Sequence, residues 1–426
     1  MRLERVALFS SKRDIVSFLG ILFTIFLLSI SYKYYQYKEL IKFDSQIIDA
    51  VVLKHYTKTT HTKTGKLTTK YIAKLQADDG SVFYTIVSKK YPHLLHKKLQ
   101  LEVWAGDISF LDYLTSYFAF SKIITIYPQN SLKDNVRHTI NTQHENPTLS
   151  ALYNALFLAT PLPKELQSKL SELGLSHLIA ISGFHLGILG GVLFFLFRYP
   201  YTYLQERYFP YRNYHRDSFF FVALTLFGYM LFLDMPPSLL RAYTMLVLGF
   251  FLYERGYEII SMQTLLVTIL LLLALFPKLI FSLGFYLSVA GVFYIFLFAH
   301  LTKNLSKVWQ FILLPFWVYI MMLPYSITIF GNFSLYHPLS IVWTTLFSIF
   351  YPLALLLHLV GHGYLLDTPL ALLLNTQYNA THFELSNIYL AIHIIFSLLS
   401  IWKKSFAIAL LFYSFSLFIY FIYNVT

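Results

Sequence analysis

The chain has few charged residues and no cysteine. Charged residues make up 13% of its 426 residues, whereas soluble domains carry about 25%. Apolar runs approach the ~20 residues needed to cross a bilayer, and an ordinary soluble domain is thereby excluded. The absence of cysteine excludes disulfides, thiolate metal sites and cysteine nucleophiles. The composition therefore predicts a polytopic α-helical membrane protein.

Two further motifs are absent. The sequence contains no G-x-x-x-x-G-K-[ST] phosphate-binding loop, and no grouping of histidines or acids has the spacing of a metal site. We therefore expect no cofactor, no metal and no catalytic residue, and we do not predict an enzyme. The net charge of +12 favours a polyanion or an anionic membrane surface as a partner.

The chain divides into four predicted segments. Residues 1–35 begin with the basic stretch MRLERVALFSSKRD, which precedes an uncleaved membrane anchor with a cytoplasmic N-terminus. Residues 36–130 form a β-domain, residues 131–176 an amphipathic helical connector and residues 177–426 a domain with many membrane spans. The connector fits a helix lying on the membrane as well as a simple link.

The β-domain is predicted from four short runs, SQIIDAVVLKHY, KLTTKYIAKLQA, SVFYTIVSK and KLQLEVWAG. The turn signals TKTG and DDG separate them, as in antiparallel hairpins. So many short strands in so few residues indicate a small extracytoplasmic β-barrel, of which the OB-fold is one choice. The predicted fold class is a polytopic helical membrane protein with this OB-like domain inserted.

Basic and aromatic side chains alternate in the β-domain. Residues 36–127 hold 13 lysines against 8 acidic residues. Positive charge with aromatic stacking surfaces is typical of proteins that hold single-stranded nucleic acid. The residues predicted to bind DNA are Tyr56, Lys70, Tyr71, Tyr84, Lys89, Lys90 and Trp104. The alternative is a solvated domain whose aromatic residues form its core.

Spans are predicted near residues 15–35, 177–198, 217–233, 238–253, 258–276, 279–300, 308–330, 336–360, 386–401 and 404–424. With a cytoplasmic N-terminus, the β-domain is outside and the arginine-rich loop 198–216 is inside, as the positive-inside rule requires. Counting spans in this way would put Lys403 and Lys404 outside, against the positive-inside rule, so the topology of residues 361–404 stays open. The stretch HGYLLDTPLALLLN is too short for a span and is predicted to be a re-entrant or broken helix.

Four polar clusters interrupt the spans: GLSHLIAISGFHLG, DMPPSLLRA, FPKLIFSLGFYLS and FGNFSLYHPLS. The predicted topology puts all four near the outer half of the membrane, where polar groups usually face a cavity or each other. We therefore expect them to share an external polar vestibule. The residues predicted to line it are His177, Ser182, Gly183, His185, Ser238, Arg241, Asn332 and His337.

These clusters resemble the ComEC family of competence proteins. ALFLATPLPKELQSKLSELGLSHLIAISGFHLG is similar to the opening of that family's membrane domain. PPSLLRAYTM, FSLGFYLSVAGV and FGNFSLYHPLSIVWT are similar to later signatures in the same order, and GDISFLDYLTSYF to the link after its OB-like domain. The resemblance covers residues 36–360.

The resemblance implies an inner-membrane channel that passes one DNA strand to the cytoplasm in natural transformation, with the β-domain in the periplasm. Many members carry a C-terminal metallo-β-lactamase-like domain. We expect this chain to be a short form without it, because no two histidines are two residues apart and the H-x-H-x-D-H motif is absent. Expected partners are DNA, a periplasmic DNA receptor, a cytoplasmic ATPase, helicase or single-strand-binding protein, membrane lipids and a second copy of the chain.

Other functions remain open at this stage. Ser182 and His185 invite comparison with rhomboid-type intramembrane proteases, although helix packing through Ser182, Gly183, Gly187, Gly190 and Gly191 is favoured. A small-solute secondary transporter is the other alternative. Arg241 is expected either to pair with Asp234 or to contact phosphate. The two histidines of HLVGH, residues 358–362, are interpreted as a chance pairing.

Overall fold

The structure is a computed structural model of the chain. It describes residues 11–61, 67–91, 94–95, 97–127, 132–179, 181–257, 259–375 and 381–425. Two compact units are present. The β-unit consists of Arg13–His138 and Leu271–Ser282, and the helical unit contains Thr139–Leu270 and Leu283–Thr426.

Over the described residues up to Thr142, the chain forms one long helix, six strands and two shorter helices. In chain order they are α1 (Lys12–Leu40), β1 (Gln46–His61), β2 (Leu67–Ala77), β3 (Val82–Val87), β4 (Lys98–Trp104), α2 (Phe110–Leu114), β5 (Tyr117–Phe118), β6 (Phe120–Ile126) and α3 (Leu132–Thr142). The four predicted strands are confirmed. β5 and β6 were not predicted, and the turn expected at Thr62–Gly65 lies outside the described residues.

The strands form one sheet in the order β5-β3-β2-β1-β4-β6. All neighbours are antiparallel except β3 and β5. Burial alternates along β3 and β4, so each strand places every second side chain on a core face. Among the described strands β5 and β6 are the edges of an open sheet, and a closed OB-like barrel is not shown.

A half-buried polar corner fixes the turn between β2 and β3. Asp79 accepts hydrogen bonds from the backbone N–H of Ser81 at 2.7 Å and from the hydroxyl of Tyr113 at 2.6 Å. Burial alone would raise the pKa of Asp79, but these hydrogen bonds outweigh it and hold that pKa below its usual range. Lys278 donates to the Gly80 carbonyl at 3.3 Å and lies 4.8 Å from the Tyr113 ring centre. Burial, and then repulsion from Lys33, lowers the pKa of Lys278 to about 8.

After Thr142, the part of the chain that the structure describes is helical apart from one two-stranded ladder. Its elements are α4 (Pro147–Leu158), α5 (Lys164–Glu172), α6 (Ser176–Ile179), α7 (Gly183–Tyr208), α8 (Tyr214–Phe232), α9 (Pro237–Glu254), α10 (Met262–Leu275), α11 (Leu283–Leu301), α12 (Lys307–Phe330), β7 (Asn332–Phe333), α13 (Ser340–Leu359), α14 (Asp367–Asn375), β8 (Thr381–His382), α15 (Asn387–Leu399) and α16 (Lys404–Val425).

Six helices in the described residues are long and apolar enough to cross a membrane. They are Lys12–Leu40, Gly183–Tyr208, Leu283–Leu301, Lys307–Phe330, His337–Leu359, which includes the turn before α13, and Lys404–Val425. Met262–Leu275 and Asn387–Leu399 are shorter apolar helices. The prediction of a multi-pass helical membrane protein is thus confirmed. α14, with 9 residues, is about 14 Å long and too short to span, as expected for that stretch.

One predicted span is interrupted, and the predicted connector contains a buried helix. The span predicted at 177–198 is interrupted: α6 ends at Ile179, and α7 begins at Gly183 and continues to Tyr208. The reason is a serine at position 182, which caps a new helix. The connector also contains more than amphipathic helix, because α4 is largely buried and its Leu152, Tyr153 and Leu156 are at most 2% exposed. They belong to a core that includes Tyr351 of α13.

The sheet core predicts a mutational asymmetry within β2. Leu75 is fully buried, and Leu75→Ala should cost about 2–5 kcal/mol of unfolding free energy through lost burial and the cavity left behind. Gln76 is the matched control, since it faces the opposite side of the sheet, and Gln76→Ala should cost at most about 1 kcal/mol. Proteolysis of the β-unit in the full chain tracks the opened population and should accelerate only for Leu75→Ala. Equal acceleration would contradict the assignment of the core face.

Candidate functional site

The site is built around the start of α7. Ser182 is the N-cap residue: its backbone is extended, and its hydroxyl accepts the N–H of Phe184 at 3.2 Å. His185 closes a capping box, because its Nδ1 accepts the backbone N–H of Ser182 at 3.2 Å. Together they satisfy N–H groups that the first turn of a helix leaves without partners.

This geometry bears on the proteolytic alternative. The Ser182 hydroxyl does lie 3.1 Å from His185 Nδ1, but that lone pair already accepts a backbone N–H. The His185 ring is 1% exposed and is enclosed by Phe347 and Tyr351, whose ring centres are 5.0 and 4.8 Å away. A nucleophile and its base need access to a substrate. The arrangement favours a structural cap over a catalytic dyad.

The second cluster docks directly onto this cap. The Ser238 hydroxyl donates to the Ile181 carbonyl at 2.6 Å. One turn along α9, Ala242 approaches Gly183 so closely that a Cβ on Gly183 would lie 2.9 Å from the Ala242 Cβ. Of the other predicted packing glycines, Gly190 has a similar neighbour at 3.3 Å, whereas Gly187 and Gly191 have open space. Close packing is therefore concentrated at Gly183 and Gly190.

Arg241 joins the second cluster to the third. Its guanidinium donates to the Gly284 carbonyl at 2.6 Å and lies 5.6 Å from the centre of the Phe285 ring. Arg241 is only 6% exposed. Neither Gly284 nor Phe285 was predicted as its partner. The side chain thereby connects α9 with the start of α11. The Gly284 carbonyl and the face of the Phe285 ring partly compensate for the loss of hydration of its buried charge.

The fourth cluster closes the arrangement. His337 Nε2 is 2.9 Å from the Ser171 carbonyl, and its ring lies 3.2 Å from where a Cβ on Gly174 would be. Gly174 has a φ of +70°, so glycine is favoured there both by backbone conformation and by space. His177 Nε2 contacts the Thr344 hydroxyl at 3.3 Å. The first and fourth clusters therefore meet where His337 lies against Gly174.

Asn332 lies apart from these contacts. It begins β7, pairs with His382 in β8, and its side-chain oxygen is 3.2 Å from His382 Nδ1. The structure thus connects seven of the eight predicted vestibule residues, or their immediate neighbours, through direct contacts. Ser182 bonds to His185, whereas Ser238, Arg241 and His337 bond to backbone carbonyls of other elements. That they line an external vestibule stays a prediction.

Two buried polar networks were missed. His144, His358 and Asp367 are hydrogen-bonded in a row, so His358 has partners of its own, although its spacing from His362 was interpreted as chance. Its neighbour His362 is exposed and bonds only locally, to the Val360 carbonyl. In the second network His393 lies 2.8 Å from the Tyr294 hydroxyl and 3.2 Å from the Ser414 hydroxyl. No local pattern marks these partners, since His144 and His358 are 214 residues apart.

The predicted DNA-binding residues of the β-unit divide between two faces. Strand alternation puts Tyr56, Lys70, Tyr84 and Trp104 on the face opposite the core. Tyr71 lies on the core face beside His55, at a ring distance of 6.3 Å. Lys89 and Lys90 are exposed in the turn after β3. The aromatics buried in the core include Phe83, Tyr113 and Tyr117, and DNA binding by the named residues stays a prediction.

Taken together, the helices and the β-unit define a polytopic membrane protein with an attached antiparallel sheet. A family model described as competence protein matches residues 159–425, which contain all four polar clusters. The chain belongs to that family, as the sequence motifs predicted, and family membership indicates a role in competence and DNA uptake. The resemblance over residues 36–158 lies outside the match and stays a prediction. No curated protein and no solved structure matches the chain.

The contact between Gly183 and Ala242 predicts a compensating pair of substitutions. Gly183→Ala should reduce the yield of folded protein, because overpacking costs about 1–3 kcal/mol. Ala242→Gly in the same chain should restore it by removing the opposing methyl group. Gly187→Ala is the matched control, with no neighbour within 4 Å. Yield can be measured by size-exclusion chromatography in detergent, and failure of the double variant to recover would refute the contact.

The capping box predicts that the Ser182 hydroxyl is replaceable. Asparagine caps helices about as well as serine, whereas alanine costs about 1 kcal/mol. Ser182→Asn should therefore retain transformation, and Ser182→Ala should retain most of it with a lower melting temperature. A catalytic serine would behave differently: both variants would abolish function while the protein stayed folded.

Proposed function

We propose that the protein takes up DNA at the outer side of the inner membrane and passes a single strand to the cytoplasm. The β-unit would lie in the periplasm and collect the DNA, and the helical unit would form the channel. Membership of the competence protein family supports this proposal. The observation that carries it is a ladder of lysines on the β-unit.

Four lysines stand opposite one another on β1 and β2. Lys54 pairs with Lys74 and Lys58 pairs with Lys70 in the strand register. Like charges directly opposite one another destabilise a sheet, so local stability does not explain this pattern. From Ala50 to Ala77 the sequence has six lysines and no acidic residue. We call the surface formed by Lys54, Lys58, Lys70 and Lys74 the lysine face. A bound polyanion would neutralise these lysines and so relieve the repulsion between them.

Aromatic rings accompany the lysines on the same face. Tyr56 stands between Lys54 and Lys58 along β1, and Lys74 lies 5.5 Å from the ring centre of Tyr84. Trp104 is 39% exposed at the end of β4. Unstacked bases stack on such rings with about 1–3 kcal/mol each, without sequence preference. This combination supports single strands as the bound form.

The helical unit contributes differently. Arg241 is buried against carbonyl and ring, so in this conformation it positions helices and does not meet phosphate. A cavity of about 290 Å³ beside the site is lined only by apolar side chains of α4, α5, α6, α13 and α14 and of the turns beside them, which does not suit a phosphate backbone. The proposed channel therefore requires the helices around α7 and α9 to separate. The energy for moving the DNA strand through the channel would come from a cytoplasmic ATPase, helicase or single-strand-binding protein.

The lysine face predicts a change in salt dependence. Each lysine that neutralises a phosphate of a single strand contributes about 0.7 to the slope of log K against log salt. Replacing Lys54, Lys58, Lys70 and Lys74 by glutamine should lower the slope by about 2.8 in total. Binding of a labelled oligonucleotide to the full chain in lipid nanodiscs, followed by fluorescence anisotropy, measures it.

Lys98→Gln is the matched control. Lys98 already pairs with Asp78 at 2.9 Å and with Asp49 at 3.7 Å, so its replacement should leave the slope nearly unchanged. A quadruple variant that keeps the original slope while folded would contradict the proposed interface.

Deletion of the gene from a naturally transformable host tests the whole proposal. Fluorescent double-stranded DNA should still reach the periplasm, while no labelled strand reaches the cytoplasm and no transformants appear. Unchanged transformation would overturn the proposal and favour a transporter of small solutes.

A further inference from the structure

Three titratable side chains from distant parts of the sequence meet inside the helical unit. His144 lies in the turn between α3 and α4, His358 in the last turn of α13, and Asp367 is the first residue of α14. His144 Nδ1 is 2.8 and 2.9 Å from the two Asp367 oxygens, and its Nε2 is 2.9 Å from Nε2 of His358. His358 Nδ1 is 2.7 Å from the Ala354 carbonyl.

The row of hydrogen bonds fixes the number of protons. The Ala354 carbonyl can only accept, so His358 Nδ1 carries a proton. The contact between the two rings needs a second proton, and the contact between His144 and Asp367 needs a third. An ionised aspartate with two neutral histidines supplies only two of the three. The cluster therefore holds one additional proton.

The additional proton belongs on His144. Both carboxylate oxygens are equidistant from Nδ1 to within 0.1 Å, as expected for an ionised acceptor. Asp367 also stands in the first turn of α14, where the helix dipole favours negative charge. The fully buried imidazolium is thus neutralised by an adjacent carboxylate.

The spacing of the two Nε2 atoms is that of a hydrogen-bonded pair. Zinc binds imidazole nitrogens at about 2.0–2.1 Å in a tetrahedral set, which separates two such nitrogens by about 3.3 Å. The observed separation is 2.9 Å, the length of an N–H···N hydrogen bond. Nor do the described residues contain a group of three histidines or acids able to hold a metal.

Neighbouring groups rigidify the cluster. Gln143 donates to the His358 carbonyl at 3.1 Å and accepts the N–H of Gly363 at 2.8 Å. Tyr153 of α4 stacks on His144 at 4.5 Å, and burial, with the nearby carboxylate of Asp367, raises the pKa of its phenol, so it stays neutral.

The titratable groups facing the pair are therefore Asp367 and Tyr153. Glu145 and His362 flank it in sequence and are exposed.

We propose that His144, His358 and Asp367 form a proton-binding latch. One shared proton holds the α3–α4 turn against the end of α13 and the start of α14. When pH rises and the proton leaves, two nitrogen lone pairs face each other at 2.9 Å and the contact is lost. α13 also carries Phe347 and Tyr351, which enclose His185, so the latch and the start of α7 act on the same helix. The inference is independent of DNA binding.

Solid-state NMR of the full chain, labelled with ¹⁵N-histidine and embedded in liposomes, tests the latch. At pH 6 we expect one imidazolium whose Nε2 proton couples to a nitrogen of a second ring. The ring-to-ring coupling should disappear at pH 9. It should also disappear at pH 6 in His358→Gln and remain in His362→Gln. Absence of the coupling in the wild type at pH 6, or its survival in His358→Gln, would overturn the proposal.

Thermal unfolding provides a second readout with a definite sign. Stability from the shared proton is present at low pH and is lost as pH rises. The melting temperature of His358→Gln should therefore lie below that of the wild type at pH 6, and the difference should shrink by pH 9. A difference that is equal at both pH values would mean that the contact needs no proton. If His358→Gln does not fold, the pH dependence of the coupling in the wild type decides the question alone.

Discussion

The approach of Gly183 to Ala242 is the constraint on which the helical unit depends. A hydrogen atom in place of a methyl group lets α7 and α9 touch at the point where α7 begins. That contact positions Ser238 for its hydrogen bond to the Ile181 carbonyl. It also positions Arg241, which precedes Ala242 in α9, for its hydrogen bond to the Gly284 carbonyl. Small residues let helices pack closely inside membranes, where the hydrophobic effect gives no drive for association. The polar groups nearby then hold this packing in one register.

The two units use charge in opposite ways. In the helical unit Arg241, His185 and His337 are buried, and their hydrogen bonds go to backbone groups: Arg241 to the Gly284 carbonyl, His185 to the Ser182 N–H and His337 to the Ser171 carbonyl. Their polarity therefore specifies which helices meet. In the β-unit the lysines of the lysine face oppose each other across β1 and β2, which costs local stability. The proposed function uses this surface to collect a polyanion and the helical unit to position the channel.

Local patterns were sufficient for part of the structure. Alternation predicted β1 to β4, hydropathy predicted the long helices, and the four clusters were identified by polar residues within apolar runs. The break before α7 was missed, because Ser182 acts through a cap that hydropathy does not register. Tyr71 was predicted to bind DNA, but alternation along β2 puts it on the same face as the buried Ala73 and Leu75. The pairing of His144 with His358 and Asp367 depends on tertiary packing between distant parts of the sequence, which no local spacing rule predicts.

The measurement that tests the account most directly is photo-crosslinking during DNA uptake. A photoreactive amino acid is placed at Tyr56, on the lysine face, or at Tyr71, on the opposite face of the neighbouring strand. Labelled transforming DNA is then supplied to living cells, and crosslinked protein is counted. The account predicts crosslinks from position 56 and few from position 71. Equal crosslinking at both positions, or crosslinking only at position 71, would contradict the claim that the lysine face collects the incoming DNA.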